Sequence, residues 1–293
     1  MTNILLYAGT VLLWGTSWLA IKYQLGIVAP EVSVLYRFVL AAAIMMAFCL
    51  VTRRSMRFTP RQHLFMALQG GCLFSTNYVF VYLATQYLTS GLVAVAFCTV
   101  TIMTIVFGAL FFGFPIRPRV ALGSVVGLGG IALVFWPEFG DFDLSRGGPL
   151  GLLLAVTGTA SAAMGMLLSA RNQRSGMPVM QNNAFSMVYG MTLLTLYCSL
   201  KGLPFNFDFS PAYVGSLLYL GLFSTVIAFW CYLTLVGRIG PDKAAYASVM
   251  FPIVALALST LVEGFVWTAP AAAGVVLVLA GNVLILAAPK SAP

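Results

Sequence analysis

Polar and aromatic side chains set inside long apolar runs are the residues of this chain best able to do chemistry, because lipid offers them no partner. Trp14 and Trp18 stand four apart and so share one helix face, as do Tyr78 and Tyr82. Thr16, Ser17, Asn77, Thr101 and Ser248 add hydrogen-bonding groups at middle depths. Trp230, Tyr232 and Tyr246 add aromatic surface later in the chain, and Pro252 frees a backbone carbonyl in mid-run. Such a set can line a cavity that stacks on an apolar or aromatic group and hydrogen-bonds its polar end. The plainer alternative is that Ser and Thr bond across helices while aromatics near run ends mark the lipid interface. The candidate substrate-binding set is therefore Trp14, Ser17, Trp18, Asn77, Tyr78, Tyr82, Thr101, Trp230, Tyr246, Ser248 and Pro252.

Arg37 is the one charge well inside a run. It stands six residues past Glu31, roughly 9 Å along a helix. It can snorkel outward, pair with Glu31, or meet a substrate carboxylate, and a structural role is the expectation. No catalytic residue, cofactor or metal site is expected. The cysteines (Cys49, Cys72, Cys98, Cys198, Cys231) lie in apolar runs with no CxxC pair, and His63 is the only histidine. No Walker A sequence occurs, so ATP hydrolysis is not expected of this chain.

The elements that hold these residues follow from composition. Hydrophobic residues are 61% of the 293 and charged ones 8%, against about 45–50% and 25% for a water-soluble domain. The bilayer must be the solvent. A span needs about 20 apolar residues, and ten such stretches can be read: 4–21, 32–51, 63–83, 90–113, 119–136, 149–169, 178–200, 212–236, 242–262 and 267–287. Barrel strands would alternate over about ten residues, and these runs do not. The expected class is an all-α polytopic membrane protein. Residues 1–22 lack the basic start and cleavage site of a signal peptide, so they read as a first span.

The net charge of +8 does not point to nucleic acid, since the basic residues sit in short breaks between runs. With the N-terminus in the cytoplasm, the inner loops and tail hold eleven of them: Arg53, Arg54, Arg57, Arg61, Arg117, Arg119, Arg171, Arg174, Arg238, Lys243 and Lys290. The outer loops hold Lys22, Arg146 and Lys201. That bias places both termini in the cytoplasm.

The stretch from Lys243 to Ala288 has an echo 151 positions earlier. Ala94 matches Ala245, Gly113 matches Gly264, Gly123 matches Gly274 and Gly130 matches Gly281, while Gly127 stands where Val278 does. Ten spans then divide into two five-helix halves, 1–140 and 141–293, and an odd count inverts the second half. Inverted halves are the plan of secondary transporters. The Gly123-xxx-Gly127 spacing predicts close packing of spans 5 and 10.

The small residues, mid-span proline, Leu-rich run and Glu-Gly turn, carried by Ala245, Pro252, Leu261, Glu263, Gly264, Gly274 and Gly281, resemble the EamA-type repeat of the drug/metabolite transporter superfamily. Trp14-Gly15-Thr16-Ser17-Trp18 and Tyr36-Arg37-Phe38 look like that family's opening helices. The first half departs from the pattern, with Thr101 where Pro252 stands and Phe112 where Glu263 stands. The resemblance, which is nearest to bacterial aromatic amino acid exporters, implies a bacterial inner-membrane protein with a central cavity between its halves. The expected function is secondary export of amino acids and related metabolites by alternating access. The expected partners are the small-molecule substrate and the bilayer, with the chain a monomer or weak homodimer. The alternative is a carrier of another class, such as sugar phosphates or cations. A phosphate carrier would hold several buried cations and a cation extruder a mid-span carboxylate, whereas only Arg37 is found and no acid lies in mid-span.

Overall fold

The computed structural model describes residues 2–113, 118–134, 136, 147–239 and 247–286, and all the regular structure among them is helical. A helix stands in each apolar stretch read above. They are α1 (Asn3–Lys22), α2 (Pro30–Val51), α3 (Pro60–Ala84), α4 (Ser90–Phe97 and Val100–Phe112), α5 (Pro118–Val134), α6 (Gly148–Arg174), α7 (Val179–Leu200), α8 (Pro211–Leu218 continuing through Tyr219–Ile227 and Ala228–Ile239), α9 (Ala247–Val262) and α10 (Ala269–Leu286). Six of them are long and apolar enough to cross a membrane: α1, α2, α3, α4, α6 and α8. Shorter apolar helices occupy Leu122–Val134, Met250–Val262 and Ala269–Leu284.

Local chemistry sets the helix starts. Thr59 caps α3 in a reciprocal capping box with Gln62, and Pro60 follows at the first turn. Ser210 caps α8 by accepting from the Tyr213 amide, with Pro211 next, 151 positions later and without the reciprocal bond. Inside both helices the backbone widens into π-helical turns, Cys72–Thr76 in α3 and Tyr219–Ile227 in α8. The echo therefore extends beyond the stretch where its residues match. Gly113 and Gly264 share it too, ending α4 and following α9 with φ of 68° and 70°, a left-handed turn that glycine adopts without strain.

Helix packing repeats the exchange. α1 packs on α9 as α6 packs on α4, α1 on α8 as α6 on α3, and α2 on α8 as α7 on α3. α2 pairs with α7, and α5 with α10, each the image of itself. The α5–α10 seam brings backbone against backbone. A Cβ on Gly274 would stand 2.5 Å from the Gly130 carbonyl oxygen, and one on Gly281 would stand 2.6 Å from that of Gly123. These two contacts are each other's images under the 151-residue shift, and they form the close packing that the glycine spacing predicts.

Two buried polar knots tie the halves together. Gln24 at the end of α1 donates to the Tyr213 carbonyl (2.9 Å) and to Ser216 (2.6 Å) of α8, and Ser33 of α2 meets the Tyr213 hydroxyl at 3.0 Å. In the counterpart corner, Gln69 of α3 donates to Asn183 of α7 (3.0 Å). Its carbonyl accepts from Asn172 of α6 (3.1 Å) and Asn182 of α7 (2.8 Å).

One expectation of symmetry changes form. Pro252 lies inside α9 and can give no hydrogen bond to the carbonyl of Ser248. α4 has no proline there, yet it breaks at Cys98 and Thr99, whose amides reach only three residues back, to Val95 (3.0 Å) and Ala96 (3.1 Å). The Thr99 hydroxyl takes the Ala96 carbonyl as well, at 2.7 Å. The two halves interrupt matching helices at matching depth by different means.

Candidate functional site

Arg37 organises the interior. Its side chain is 2% exposed, so it does not snorkel, and it forms no ion pair with Glu31 or any other acid among the described residues. Its Nε and Nη2 donate to the Thr225 hydroxyl at 3.2 and 3.1 Å. The guanidinium carbon lies 4.5 Å from the centre of the Tyr78 ring and 5.7 Å from that of Phe38. Tyr82 lies within hydrogen-bonding reach of the guanidinium, and Tyr219 is near enough to interact with its charge.

The π turn of α8 is what delivers Thr225. Its hydroxyl donates to the carbonyl of Leu220, five residues back, at 2.7 Å, a spacing that belongs to the widened turn. The hydroxyl lone pairs then face α2. Tyr219, in the same turn, hydrogen-bonds Thr16 of α1 and donates to the Leu13 carbonyl at 3.3 Å. Three helices of the first half, α1, α2 and α3, thus meet α8 of the second half around one cation.

The Tyr82 hydroxyl, in reach of the Arg37 guanidinium, finds no acceptor for its own proton, and Nη1 of Arg37 makes no well-formed hydrogen bond. Oδ1 of Asn77 on α3 and Nε1 of Trp18 on α1 are also buried without a partner.

The structure brings Tyr78 and Tyr82 of the predicted set to Arg37. Trp14 joins them through a chain of rings: Trp14 to Phe229 (5.5 Å), Phe229 to Phe74 (6.4 Å), Phe74 to Phe38 (5.5 Å) and Phe38 to Tyr78 (4.8 Å). Trp18 is buried against Phe97 (5.2 Å) and Phe251 (6.0 Å), where α1 meets α4 and α9. Asn77 is buried on α3, with Nδ2 donating to its own helix at Leu73 (3.4 Å). Ser17 bonds back to the Trp14 carbonyl at 2.7 Å, which is a packing arrangement. Thr101 is half-buried on α4, away from the Arg37 group. Trp230 is 46% exposed and stands on the wall of a pocket between α2, α7 and α8. Pro252 is buried in α9. Tyr246 and the side chain of Ser248 lie outside the described residues.

Thr225 and Tyr219 did not stand out in the sequence. A threonine and a tyrosine in an apolar run carry no signal of a π turn, and the turn is what aims them.

A pocket of about 170 Å³ opens between α2, α7 and α8, lined by Met45, Met187, Asn183, Thr225, Phe229 and Trp230 among others. A wider hollow of about 350 Å³ lies between α1 and the start of α8, with Thr16, Tyr23, Ser216 and Tyr219 on its walls. At the same end of α1, Glu263 ties three elements. Its carboxylate accepts from the Ser90 amide at 3.1 and 2.9 Å and from the Ser90 hydroxyl, and Lys22 reaches it at 3.4 Å.

The model of the EamA-like transporter family matches residues 1–136 and 149–287. The chain belongs to that family. It is 30% identical over 294 residues to the uncharacterized inner membrane transporter YedA of Escherichia coli K12, covering 96% of this chain and 92% of that protein. Protein PagO of Salmonella typhimurium is 23% identical over 269 residues, covering 87% and 83%. An uncharacterized transporter of Archaeoglobus fulgidus is 24% identical over 296 residues, covering 98% and 99%. A solved crystal structure superposes with a TM-score of 0.68 at 19% identity, covering 96% of this chain and 95% of its own. That likeness is one of fold. The chain is a multi-pass membrane transporter of two repeats.

Proposed function

We propose that this transporter is a secondary active exporter of amino acids, aromatic ones among them, that works by alternating access across a bacterial inner membrane. In this reading ten helices span the bilayer as two inverted repeats, 1–140 and 141–293, and both termini are cytoplasmic. The excess of Lys and Arg in alternate loops supports the orientation, and the likeness to the inner membrane transporter YedA supports the compartment. The substrate-binding set read from the sequence is retained, with its centre of gravity moved to Tyr78 and Tyr82.

One observation carries the reading. In an otherwise apolar bundle, Thr16, Tyr78 and Tyr82 of the first half meet Tyr219 and Thr225 of the second around Arg37. Stacking rings beside hydroxyls suit a solute with an apolar side and polar ends. A site shared by two exchange-related halves can be opened to either face by rocking one against the other.

Counterflow of labelled amino acids in proteoliposomes tests it, with and without a pH gradient, and again with Tyr78→Ala and Tyr82→Ala. The expected result is saturable exchange that both variants weaken. No saturable movement of any amino acid would sink the reading, and unchanged exchange in both variants would remove the tyrosines from the site.

A further inference from the structure

We infer that Arg37 is the carboxylate anchor of the transported amino acid, an inference that rests on the amino-acid reading above. A guanidinium brings five N–H donors in a planar fork. Here the well-formed hydrogen bonds go to a single neutral hydroxyl, Thr225, and the guanidinium has only a weaker contact with the Tyr82 hydroxyl. No carboxylate among the described residues balances the charge: Glu263 is held by Lys22 and Ser90, Asp208 caps Ser210, and Glu31 forms no ion pair with Arg37. The side chain is nevertheless 2% exposed. Burying an unpaired cation is costly, and in membrane proteins such charges mark ligand paths.

A helix tie alone does not explain this arrangement. A tie between α2 and α8 needs one hydrogen bond between neutral groups, as Ser33 and Tyr213 provide between the same two helices. A guanidinium adds a full charge and an open edge. That edge carries Nη1, which makes no well-formed hydrogen bond, and the Tyr82 hydroxyl in contact with the guanidinium keeps its own proton without an acceptor. Two donors side by side are what a carboxylate accepts, one on each oxygen. The Tyr78 ring lies against the guanidinium face, so the charge is screened on that side and directed to its edge.

The chemistry selects one carboxylate rather than a phosphate. A phosphate dianion draws two or more cations, and Arg37 stands alone in the middle of the bundle. Thr225 belongs both to the wall of the α2–α7–α8 pocket and to the Arg37 contact. A solute in that pocket is one side chain, Thr225, away from the Nε–Nη2 edge of the guanidinium, and movement of the Thr225 turn would join them.

The test compares transport of an amino acid with transport of its amide, which keeps the side chain and amine but loses the negative charge. Purified wild-type protein in proteoliposomes is assayed for phenylalanine and phenylalaninamide, then Arg37→Gln and Arg37→Lys are assayed likewise. Size-exclusion profile and melting temperature confirm that each variant is folded. The wild type is expected to favour the acid by roughly 10- to 100-fold in kcat/KM, the worth of a charged hydrogen-bond pair. Arg37→Gln is expected to abolish that preference by raising KM for the acid alone, and Arg37→Lys to keep part of it. Equal transport of acid and amide by the wild type would overturn the anchor while leaving the exporter standing. An equal loss for both solutes in folded Arg37→Gln would also overturn it, because a structural tie has no reason to distinguish them. No saturable transport of any amino acid by the wild type would overturn the anchor together with the function on which it rests.

Discussion

Arg37 and Thr225 lie 188 positions apart in sequence, and Nε and Nη2 of the first both reach Oγ1 of the second, at 3.2 and 3.1 Å. The contact joins the two halves in the bundle interior. Its consequences are open to measurement.

Thr225→Val keeps the shape of the side chain and removes the acceptor. The Nε and Nη2 donors of Arg37 are then left without the hydroxyl that receives them. The expected loss of stability is about 1–3 kcal/mol, the cost of orphaning a buried group. Chemical unfolding in mild detergent, followed by the change in helix content, would measure it. Thr225→Ser should remain within about 1 kcal/mol of the parent, since it retains the hydroxyl and deletes one methyl.

The α5–α10 seam should reject even one methyl group. In Gly130→Ala the new Cβ would lie 2.6 Å from both the Gly274 carbonyl oxygen and the Val278 amide nitrogen. Backbone cannot yield as a flexible side chain does, so the helices must separate, at an expected cost of about 1–3 kcal/mol. Gly129→Ala meets nothing within 4 Å and should match or slightly exceed the parent, since alanine favours helix over glycine by about 0.5–1 kcal/mol. Paired melting curves of the two variants decide the matter.

Gln69→Leu should be among the most damaging polar changes. It leaves Nδ2 of Asn182 and Oδ1 of Asn183 without their Gln69 partners. At about 1–3 kcal/mol for each orphaned buried group, the expected loss is about 2–5 kcal/mol. Poor yield of folded protein, rescued by lower expression temperature, would be the first sign, and unfolding measurements would set the size.

Glu263 should matter far more than its ion-pair partner. The Lys22 side chain is 31% exposed, and such pairs contribute about 0–1 kcal/mol. The same carboxylate also takes the first amide of α4, where the helix dipole favours an anion. Lys22→Met is therefore expected to be nearly silent, and Glu263→Ala to cost about 1–3 kcal/mol. Glu263→Gln should fall between them, because it can still accept from Ser90. Equal effects of Lys22→Met and Glu263→Ala would show that the ion pair is the stronger contribution.

The amino-acid sequence by itself determined the solvent, the helical class and the plan. Ten apolar stretches, the 151-residue echo and the glycines of α5 and α10 are all local or repeated features, and each reappears as a helix, a paired contact or a left-handed turn. Their physical cause is short-ranged: span length follows bilayer thickness, and glycine alone permits backbone to touch backbone. The inward face of each helix was not legible. Lipid and protein interior are both apolar, so helices such as α1 and α7 show almost no polar side that would tell one from the other. Tyr78 and Trp230 look alike in their apolar runs, yet one covers Arg37 and the other stands half-exposed on the wall of the α2–α7–α8 pocket. Only the packing of α8 against α2 and α1 settled which, because the π turn that carries Thr225 and Tyr219 takes its meaning from residues about 190 to 200 positions away. The candidate site is a property of that long-range meeting. A buried cation with one neutral partner exists only once the tertiary structure has closed around it.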